Sequence, residues 1–157
     1  MNFTIQTMRI RRMEPADLDR VIEIEQGMND APHWPLAAYL TALDENAVPR
    51  RICLVAEEPE TGVIGFAVAC VVGPQADLET IVVATEGQRR GVARRILAAL
   101  VVELKLEQIR KVTLEGRASN HPALAFYRST GFRETGRRPR YYVDPVEDAV
   151  LLSLWLE

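Results

Sequence analysis

A basic loop with a single glycine lies near the middle of the chain. Its six residues are Gln88-Arg89-Arg90-Gly91-Val92-Ala93. The apolar run at 81–84 before it is typical of a buried strand, and an amphipathic helix is predicted from about residue 88 to residue 107. Backbone N–H groups at a helix start lack intrahelical partners, and the helix dipole adds positive potential there. Because Gly91 also lets the backbone approach a ligand closely, the loop predicts a phosphate-binding site.

Two proton-carrying side chains follow the loop, Glu115 at the end of a predicted strand and Tyr127 on the next predicted helix. A carboxylate and a phenol can act as base and acid, and positioned proton transfer contributes about 10²–10⁴-fold to a rate. Each residue also has a purely structural interpretation. A glutamate that closes a strand is often an exposed partner for arginine, here Arg117 or Arg140, and a tyrosine on an apolar helix face is usually part of the core. The residues alone leave both interpretations open.

Seven strands and four helices must position these residues, in the order β-α-α-β-β-β-α-β-α-β-β. Alternating apolar and charged residues predict the first strand, and apolar residues at helical spacing predict the helices. A Pro/Gly turn at 58–62 predicts an antiparallel hairpin between the second and third strands. Asn120 or Ser119 is expected to cap the last helix, and Gly131 to follow it. The predicted strands cover about 8–13, 51–57, 63–72, 76–84, 111–115, 132–142 and 149–156, and the helices about 18–26, 36–44, 88–107 and 120–130.

The chain of 157 residues has the common size of one domain, and the element order predicts one α/β domain with a mixed sheet. Its hydrophobic share of 48% excludes intrinsic disorder, and its net charge of −3 argues against a general grip on nucleic acid. Cys53 and Cys70 lie in apolar strand-like runs and are expected to be buried reduced thiols. Residues 1–7 lack a signal-peptide pattern, and no apolar run approaches membrane-spanning length. These features predict a cytoplasmic domain without a membrane partner.

In this setting, between a strand and a helix, the loop resembles the acyl-CoA-binding signature of the GNAT superfamily of N-acetyltransferases, Gln/Arg-x-x-Gly-x-Gly/Ala. The block around Glu115 is similar to the RimI-like branch of that superfamily, the ribosomal-protein alanine N-acetyltransferases. The segments that carry this second likeness are Leu114-Glu115-Gly116-Arg117-Ala118-Ser119-Asn120, Ala123-Leu124-Ala125-Phe126-Tyr127, Gly131-Phe132 and Arg138-Pro139-Arg140-Tyr141-Tyr142. The chain departs from the family pattern at four positions, where Thr85 replaces a proline, Gly87 a bulky residue, Ala93 the commoner second glycine and Gly116 a valine.

The resemblance implies a single-domain GNAT-like α/β fold, with a mixed, mostly antiparallel sheet of six to seven strands flanked by about four helices. It implies that residues 1–157 form one acetyl-CoA-dependent N-acetyltransferase domain, with no metal. The acceptor amine would attack the thioester directly, with Glu115 as general base, acting through water, and Tyr127 as general acid near the coenzyme sulfur. The residues expected to bind acetyl-CoA are Ile81, Val82, Val83, Gln88, Arg89, Arg90, Gly91, Val92, Ala93, Arg94, Asn120 and Tyr127.

Some of these assignments have open alternatives. Backbone N–H groups of Val82 and Val83 would hold the pantetheine arm or the acetyl oxygen, because splayed strands leave amides unpaired. The loop arginines could meet phosphates of the coenzyme or form an ordinary solvated face. Asn120 could bond the coenzyme or only cap its helix. Four side chains border the expected acceptor site and could contact the acceptor or serve packing alone: His33, Trp34, Tyr141 and Tyr142.

Proton chemistry favours an α-amino group as the acceptor. Its pKa is about 7.7–8.0, against about 10.4 for lysine, so deprotonating lysine near neutrality costs roughly 3–4 kcal/mol more. We therefore expect a protein or peptide N-terminus, and lysine or a small-molecule amine remains an alternative. A non-catalytic acyl-CoA-binding domain is a second alternative. A nucleotide-binding domain is less consistent, because the loop lacks a Gly-Lys-Ser/Thr ending and the three-glycine dinucleotide pattern. The quaternary state is expected to be a monomer or a homodimer.

Overall fold

A computed structural model describes residues 8–28 and 31–157. The expectations for residues 1–7, and for positions 29 and 30 of the loop between the first two helices, therefore lie outside the described residues. Four helices are present in the described residues, α1 (Leu18–Gln26), α2 (Leu36–Leu43), α3 (Val92–Leu106) and α4 (His121–Ser129). The strands are β1 (Arg9–Arg12), β2 (Arg50–Glu58), β3 (Gly62–Val72), β4 (Gln75–Val83), β5 (Lys111–Arg117), β6 (Arg133–Val143) and β7 (Val146–Trp155). The predicted element order is confirmed.

The strands form one sheet in the order β1-β2-β3-β4-β5-β7-β6. All neighbours pair antiparallel except β4 and β5, which are parallel. Their registered pairs run only from Gln75 with Lys111 to Asp77 with Thr113. Beyond Asp77 the two strands separate, although each continues for several residues and stays paired on its other side. The mixed, mostly antiparallel sheet is as predicted, and it contains an opening between the ends of β4 and β5.

Side chains alternate between the two faces of the sheet and form a core on each. The first core packs α3 and α4 against one face, through residues such as Ile96, Leu100 and Leu124. The second core packs α1 and α2 against the other face, through residues such as Val21 and Tyr39. The opening between β4 and β5 therefore connects two helical layers.

The prediction of buried cysteines with reduced thiols is confirmed. Cys53 and Cys70 are both free and buried, and burial raises the pKa of the Cys53 thiol to about 11. A thiol with a raised pKa carries little thiolate at neutral pH, so these side chains serve packing. None of the helices within residues 8–28 and 31–157 is long and apolar enough to cross a membrane.

One helix boundary was predicted wrongly. Helix α3 begins at Val92, not near residue 88, because the preceding loop contains two residues with left-handed backbone angles. Arg89 has φ of 63° and Gly91 has φ of 79°, and a right-handed helix cannot include such residues. A short 3-10 turn at Thr85–Gly87 leads into this loop. The last strand also begins earlier than predicted, at Val146 instead of residue 149.

Candidate active site

The loop before α3 presents unpaired backbone N–H groups. The first hydrogen bond within the helix runs from the Arg95 N–H to the Gly91 carbonyl, at 3.1 Å. The N–H groups of Val92, Ala93 and Arg94 precede it, and no side chain caps this end. With Arg89 and Gly91 in left-handed conformations, successive amides form a concave surface of the kind that binds anions. We call this surface the cradle; its binding of a phosphate stays a prediction.

A glycine is favoured at position 91 because its backbone is left-handed, with φ of 79°. Lack of space is not the reason, since a Cβ atom at this position would meet no atom within 4 Å. The open space above it leaves the cradle accessible. Gly87, a departure from the family pattern, has a different reason. A Cβ atom there would lie 3.2 Å from Cγ1 of Val83 and 3.5 Å from Ile64, so neighbouring side chains already fill the space that a larger residue would take.

An open cleft of about 360 Å³ adjoins the cradle and is bounded on its far side by Phe126 of α4. Seven of the residues predicted to bind acetyl-CoA line it, namely Val83, Gln88, Arg89, Gly91, Val92, Ala93 and Arg94. The structure therefore brings the end of β4, the loop and the start of α3 together around one space. The other predicted residues do not line this cleft; they are Ile81, Val82, Arg90, Asn120 and Tyr127.

The loop arginines differ in their contacts. Arg90 forms an ion pair with Glu58 of β2, which turns its guanidinium away from the cradle. Arg94 donates a hydrogen bond to Oγ of Ser129, at 2.9 Å, and its guanidinium lies 5.8 Å from the centre of the Phe126 ring. Arg89 is exposed and lines the cleft. Arg89 is therefore better placed than Arg90 to meet a phosphate.

The backbone of β4 offers hydrogen-bonding groups to the opening. The Ala84 N–H donates to Ile64 of β3 at 2.8 Å, and antiparallel pairing alternates, so the Val82 amide also turns toward β3. The amides of Ile81 and Val83 then face the opening. The Val83 carbonyl, which faces the same way, accepts a hydrogen bond from Nε2 of Gln88 at 3.1 Å. Of the two amides predicted to hold a ligand, the geometry favours that of Val83.

Tyr127 lies on the face of the sheet that carries the first core and packs against that core. Its ring packs edge to face against Phe126 and Phe132, with centroids 5.4 and 5.6 Å apart. The side chain is half-buried, and burial raises the pKa of its phenol to about 12, because an apolar environment disfavours the phenolate. At neutral pH the hydroxyl therefore keeps its proton and can only act as an acid.

Glu115 lies on the opposite face of the sheet. Its neighbours Val112 and Leu114 belong to the first core, so the two-residue period of β5 turns Glu115 to the other side. Its ion-pair partner is Arg138, whose Nε lies 2.7 Å from Oε2 of Glu115. The sequence suggested Arg117 or Arg140 instead. Arg117 pairs with Glu147 at 3.2 Å. The predicted ion pair of Glu115 with an arginine is thus present, but its partner is Arg138.

The Glu115 carboxylate is incompletely satisfied. Its Oε2 atom is shielded from solvent and, among the described residues, has no hydrogen-bond partner. Nε of Arg138 lies close to this oxygen, but its N–H group does not point at it. The contact with Arg138 is therefore electrostatic and is not a hydrogen bond. Oε2 of Glu115, the predicted base, can thus still accept a hydrogen bond.

Tyr127 and Glu115 consequently belong to opposite faces of the sheet. Phe126, next to Tyr127, lines the cleft together with Val83, whereas Glu115 lies on the other face, close enough to Asp77 of β4 for its charge to raise the pKa of Asp77. Their roles as acid and base of an acyl transfer stay predictions.

Asn120 caps α4, which settles which of two candidate residues has that role. Its Oδ1 accepts a hydrogen bond from the Ala123 N–H at 3.3 Å. Ser119 instead donates its N–H to Oε1 of Glu147, at 2.9 Å. The second role expected for Asn120, a bond to the coenzyme, stays a prediction.

The loop between α1 and α2 is anchored by a buried acid that the sequence interpretation missed. Glu25 is fully buried, and its Oε1 accepts hydrogen bonds from the Trp34 N–H at 3.0 Å and the Tyr39 hydroxyl at 2.8 Å. The Trp34 ring packs on Tyr39, with centroids 5.4 Å apart. His33 is exposed and donates from Nε2 to the Met28 carbonyl at 2.7 Å. Both loop residues thus hold the loop in place; an acid on the apolar face of α1 was the overlooked signal.

Asp77 and Glu79 lie on the same sheet face as Glu115. Burial raises the pKa of Asp77, and the charges of Glu79 and Glu115 raise it further, against a lowering hydrogen bond from Thr113. Arg51 neutralises Glu79 at 2.7 Å. Beyond this cluster lie Tyr141 and Tyr142, whose rings are 5.1 Å apart. Two of the three carboxylates on this face are thus paired with arginines.

Known proteins are similar to this chain in sequence and in fold. Residues 18–132 match the model of the acetyltransferase (GNAT) family. The chain is 32% identical over 147 residues to ribosomal protein bS18-alanine N-acetyltransferase of Escherichia coli K12, covering 92% of this chain and 95% of that protein. It is 33% identical over 148 residues to an uncharacterised protein of Mycobacterium leprae, of which it spans only 39%. The crystal structure of the ribosomal-protein-S18-alanine N-acetyltransferase from Escherichia coli superposes with a TM-score of 0.84, at 32% identity over 96% of this chain and 94% of that one.

Proposed function

The chain belongs to the acetyltransferase (GNAT) family and is an N-acetyltransferase; on this premise we propose that it acetylates the N-terminal α-amino group of a protein, with acetyl-CoA as donor. The observation that carries the proposal is the opening between β4 and β5, with Tyr127 on one face and Glu115 on the other. The N–H groups at the start of α3 would hold the coenzyme pyrophosphate. The amides of Ile81 and Val83 would hold the pantetheine arm.

The proposed reaction is a direct transfer. The neutral amine nitrogen attacks the thioester carbonyl carbon, the new C–N bond forms and the C–S bond breaks. Glu115, acting through water, removes a proton from the attacking nitrogen. Tyr127 gives its phenolic proton to the departing sulfur, and water later returns a proton to the phenolate. An acceptor that arrives as an ammonium first loses one proton to solvent. The neutral amine then loses one to Glu115, which releases it to solvent, and the thiolate gains one from Tyr127.

The raised pKa of Tyr127 is compatible with its role as acid. Burial raises the pKa of the phenol to about 12. A phenol with this pKa would protonate a thiolate that is dissolved in water only weakly. In the same apolar surroundings a thiolate is also destabilised, so its affinity for a proton rises as well. The ring packing against Phe126 and Phe132 fixes the direction of the hydroxyl, and positioning of this sort contributes to the rate.

An α-amino group suits this site better than a lysine side chain. Its pKa of about 7.7–8.0 leaves a useful neutral fraction near pH 7, whereas a lysine would need a stronger base than one carboxylate acting through water. The Escherichia coli relative is named as an alanine N-acetyltransferase of ribosomal protein bS18. Ribosomal proteins occur in the cytoplasm, and we propose that location for the reaction.

A pair of peptides of identical sequence tests the proposal. One has a free N-terminus and a capped lysine side chain; the other has a capped N-terminus and a free lysine. Thiol release from acetyl-CoA gives the rate, and mass spectrometry places the acetyl group. We expect transfer to the free N-terminus at least about tenfold faster, from the pKa difference between the two amines.

Two results would overturn the assignment of the acceptor. Equal rates on the two peptides would remove the preference for an N-terminus. Tight binding of acetyl-CoA without thiol release over a broad panel of amines would favour the non-catalytic alternative.

A further inference from the structure

A single arginine covers the acceptor side of Glu115. Arg138 lies on β6, with Nε 2.7 Å from Oε2 of Glu115 and its guanidinium carbon 5.6 Å from the centre of the Tyr141 ring. The contact is not a hydrogen bond, and Oε2 remains without a donor among the described residues. The chain's own cation thus stands where the proposed reaction requires a substrate amine.

The backbone of β6 explains how Arg138 reaches a carboxylate two strands away. β6 is an edge strand, and its pairing with β7 is interrupted between Arg138 and Tyr142. Within that interruption Arg140 has φ of 53° and its N–H donates to Asp148 at 3.0 Å. Irregularities of this kind redirect neighbouring side chains. Arg138 is registered with Ala149 of β7, a small residue over which its side chain can cross.

We propose that Arg138 is a gate over Glu115: its guanidinium occupies the carboxylate in the free enzyme, and the ammonium group of the acceptor displaces it. This inference rests on the proposed function, in which Glu115 is the general base. Arg138 is then a specificity-determining residue, because an acceptor without positive charge cannot compete for the carboxylate. It takes no part in the transfer of the acetyl group itself.

Two features make displacement feasible. The Arg138 side chain is 58% exposed, so it can move into solvent without disturbing the core. An ammonium group carries three donors that rotate freely, whereas a guanidinium has a rigid fork. An acceptor ammonium that donates to the bridging water therefore lets that water donate to Oε2 of Glu115, which Arg138 leaves unsatisfied. The exchange replaces an electrostatic contact by a hydrogen bond.

Removal of the gate should help the acceptor and leave the donor unaffected. In Arg138→Ala the KM for an N-terminal peptide should fall about twofold to fivefold, the range expected when a partly exposed ion pair no longer has to be broken. We expect kcat within twofold of wild type and an unchanged KM for acetyl-CoA. Arg138→Lys, which keeps the charge, should lie between wild type and Arg138→Ala.

The adjacent arginine supplies a matched control. Arg137 has similar exposure, 50%, and pairs with Glu134 of its own strand at 3.1 Å. Arg137→Ala removes the same charge from the same strand without touching Glu115, so its acceptor KM should stay within about 1.5-fold of wild type, as expected for a surface pair. In a Glu115→Gln background, Arg138→Ala should no longer tighten equilibrium binding of the peptide, measured as its Kd by calorimetry.

The wild-type and variant arms separate the two ideas. Absence of acetyl transfer by the wild type would overturn the proposed function and the gate with it. If the wild type transfers acetyl groups, an unchanged acceptor KM in Arg138→Ala overturns the gate alone. A raised KM or a kcat lowered more than fivefold would overturn it too, because Arg138 would then bind the acceptor or orient Glu115.

Discussion

At the scale of single residues, the proposed acetyl transfer depends on a phenol that keeps its proton. Tyr127→Phe retains the ring that packs between Phe126 and Phe132 and removes only the hydroxyl. We expect kcat to fall about 100-fold, within the range for loss of a positioned acid, while the Kd for acetyl-CoA stays within twofold. Steady-state kinetics and equilibrium binding measure the two quantities. Unchanged turnover would exclude Tyr127 from proton transfer.

Sequence reasoning was strongest for residues with recognisable spacing and weakest for those positioned by distant contacts. Gln88–Ala93 could be predicted as an anion site because loop, strand and helix are contiguous. Arg138 could not be placed over Glu115, because that contact crosses β7 from an edge strand. Glu25 was visible as an acid on an apolar helix face, yet its partners Trp34 and Tyr39 lie on other elements.

At the scale of elements, close packing of β3 against β4 supports the open end of β4. A Cβ atom at Gly65 would lie 3.0 Å from the Val82 carbonyl and 3.2 Å from Cδ1 of Ile96. Backbone cannot yield as a flexible side chain does, so Gly65→Ala should destabilise the fold by about 1–3 kcal/mol. Urea unfolding monitored by circular dichroism gives the change.

Gly116→Ala is the control for that prediction. A Cβ atom at Gly116 would meet Cδ2 of Leu124 at 3.4 Å, at the edge of ordinary contact. We expect a change within about 0.5 kcal/mol, or a small gain from the stiffer unfolded chain. If both substitutions cost the same, the close approach at Gly65 is not what constrains this part of the sheet.

The start of α3 shows why element boundaries at a binding loop are hard to predict. Periodicity extends the apolar helix pattern back toward residue 88, but the chain adopts left-handed angles at Arg89 and Gly91. A glycine there is a recognisable signal, whereas an arginine with positive φ has no local sequence signature. The opening between β4 and β5 is equally hidden, because strand patterns do not encode where pairing stops.

At the scale of the whole molecule, an ion network joins β1 to β2 and to the turn before α1. Arg11 donates to Asp17 at 2.8 and 2.9 Å and to Glu57 at 3.1 and 3.2 Å. The bond from Arg11 holds the pKa of Asp17 below its usual value, against the effect of burial. A folded pKa below the unfolded one means that this stabilisation is present above about pH 3.8 and is lost as the pH falls through the folded value.

Arg11→Met should therefore have a pH-dependent cost. We expect a loss of about 2 kcal/mol at pH 7, the scale of hydrogen bonds between charged groups, and a smaller difference from wild type below the usual pKa of aspartate. Arg9→Met is the control, since Arg9 is 71% exposed and pairs with Glu57 at 3.3 Å; it should cost less than about 1 kcal/mol. A constant difference between pH 7 and pH 3 would contradict the linkage.

The central claim is that acetyl transfer takes place in the opening between β4 and β5, with acid and base on opposite faces of the sheet. A crystal structure with a bisubstrate compound, a peptide N-terminus joined through an acetyl group to coenzyme A, tests it most directly. We predict the pyrophosphate at the N–H groups of Val92 and Ala93, the sulfur within hydrogen-bond reach of the Tyr127 hydroxyl, and the peptide nitrogen one water from Glu115. A sulfur atom bound outside the opening, or a peptide nitrogen on the same face as Tyr127, would contradict the account.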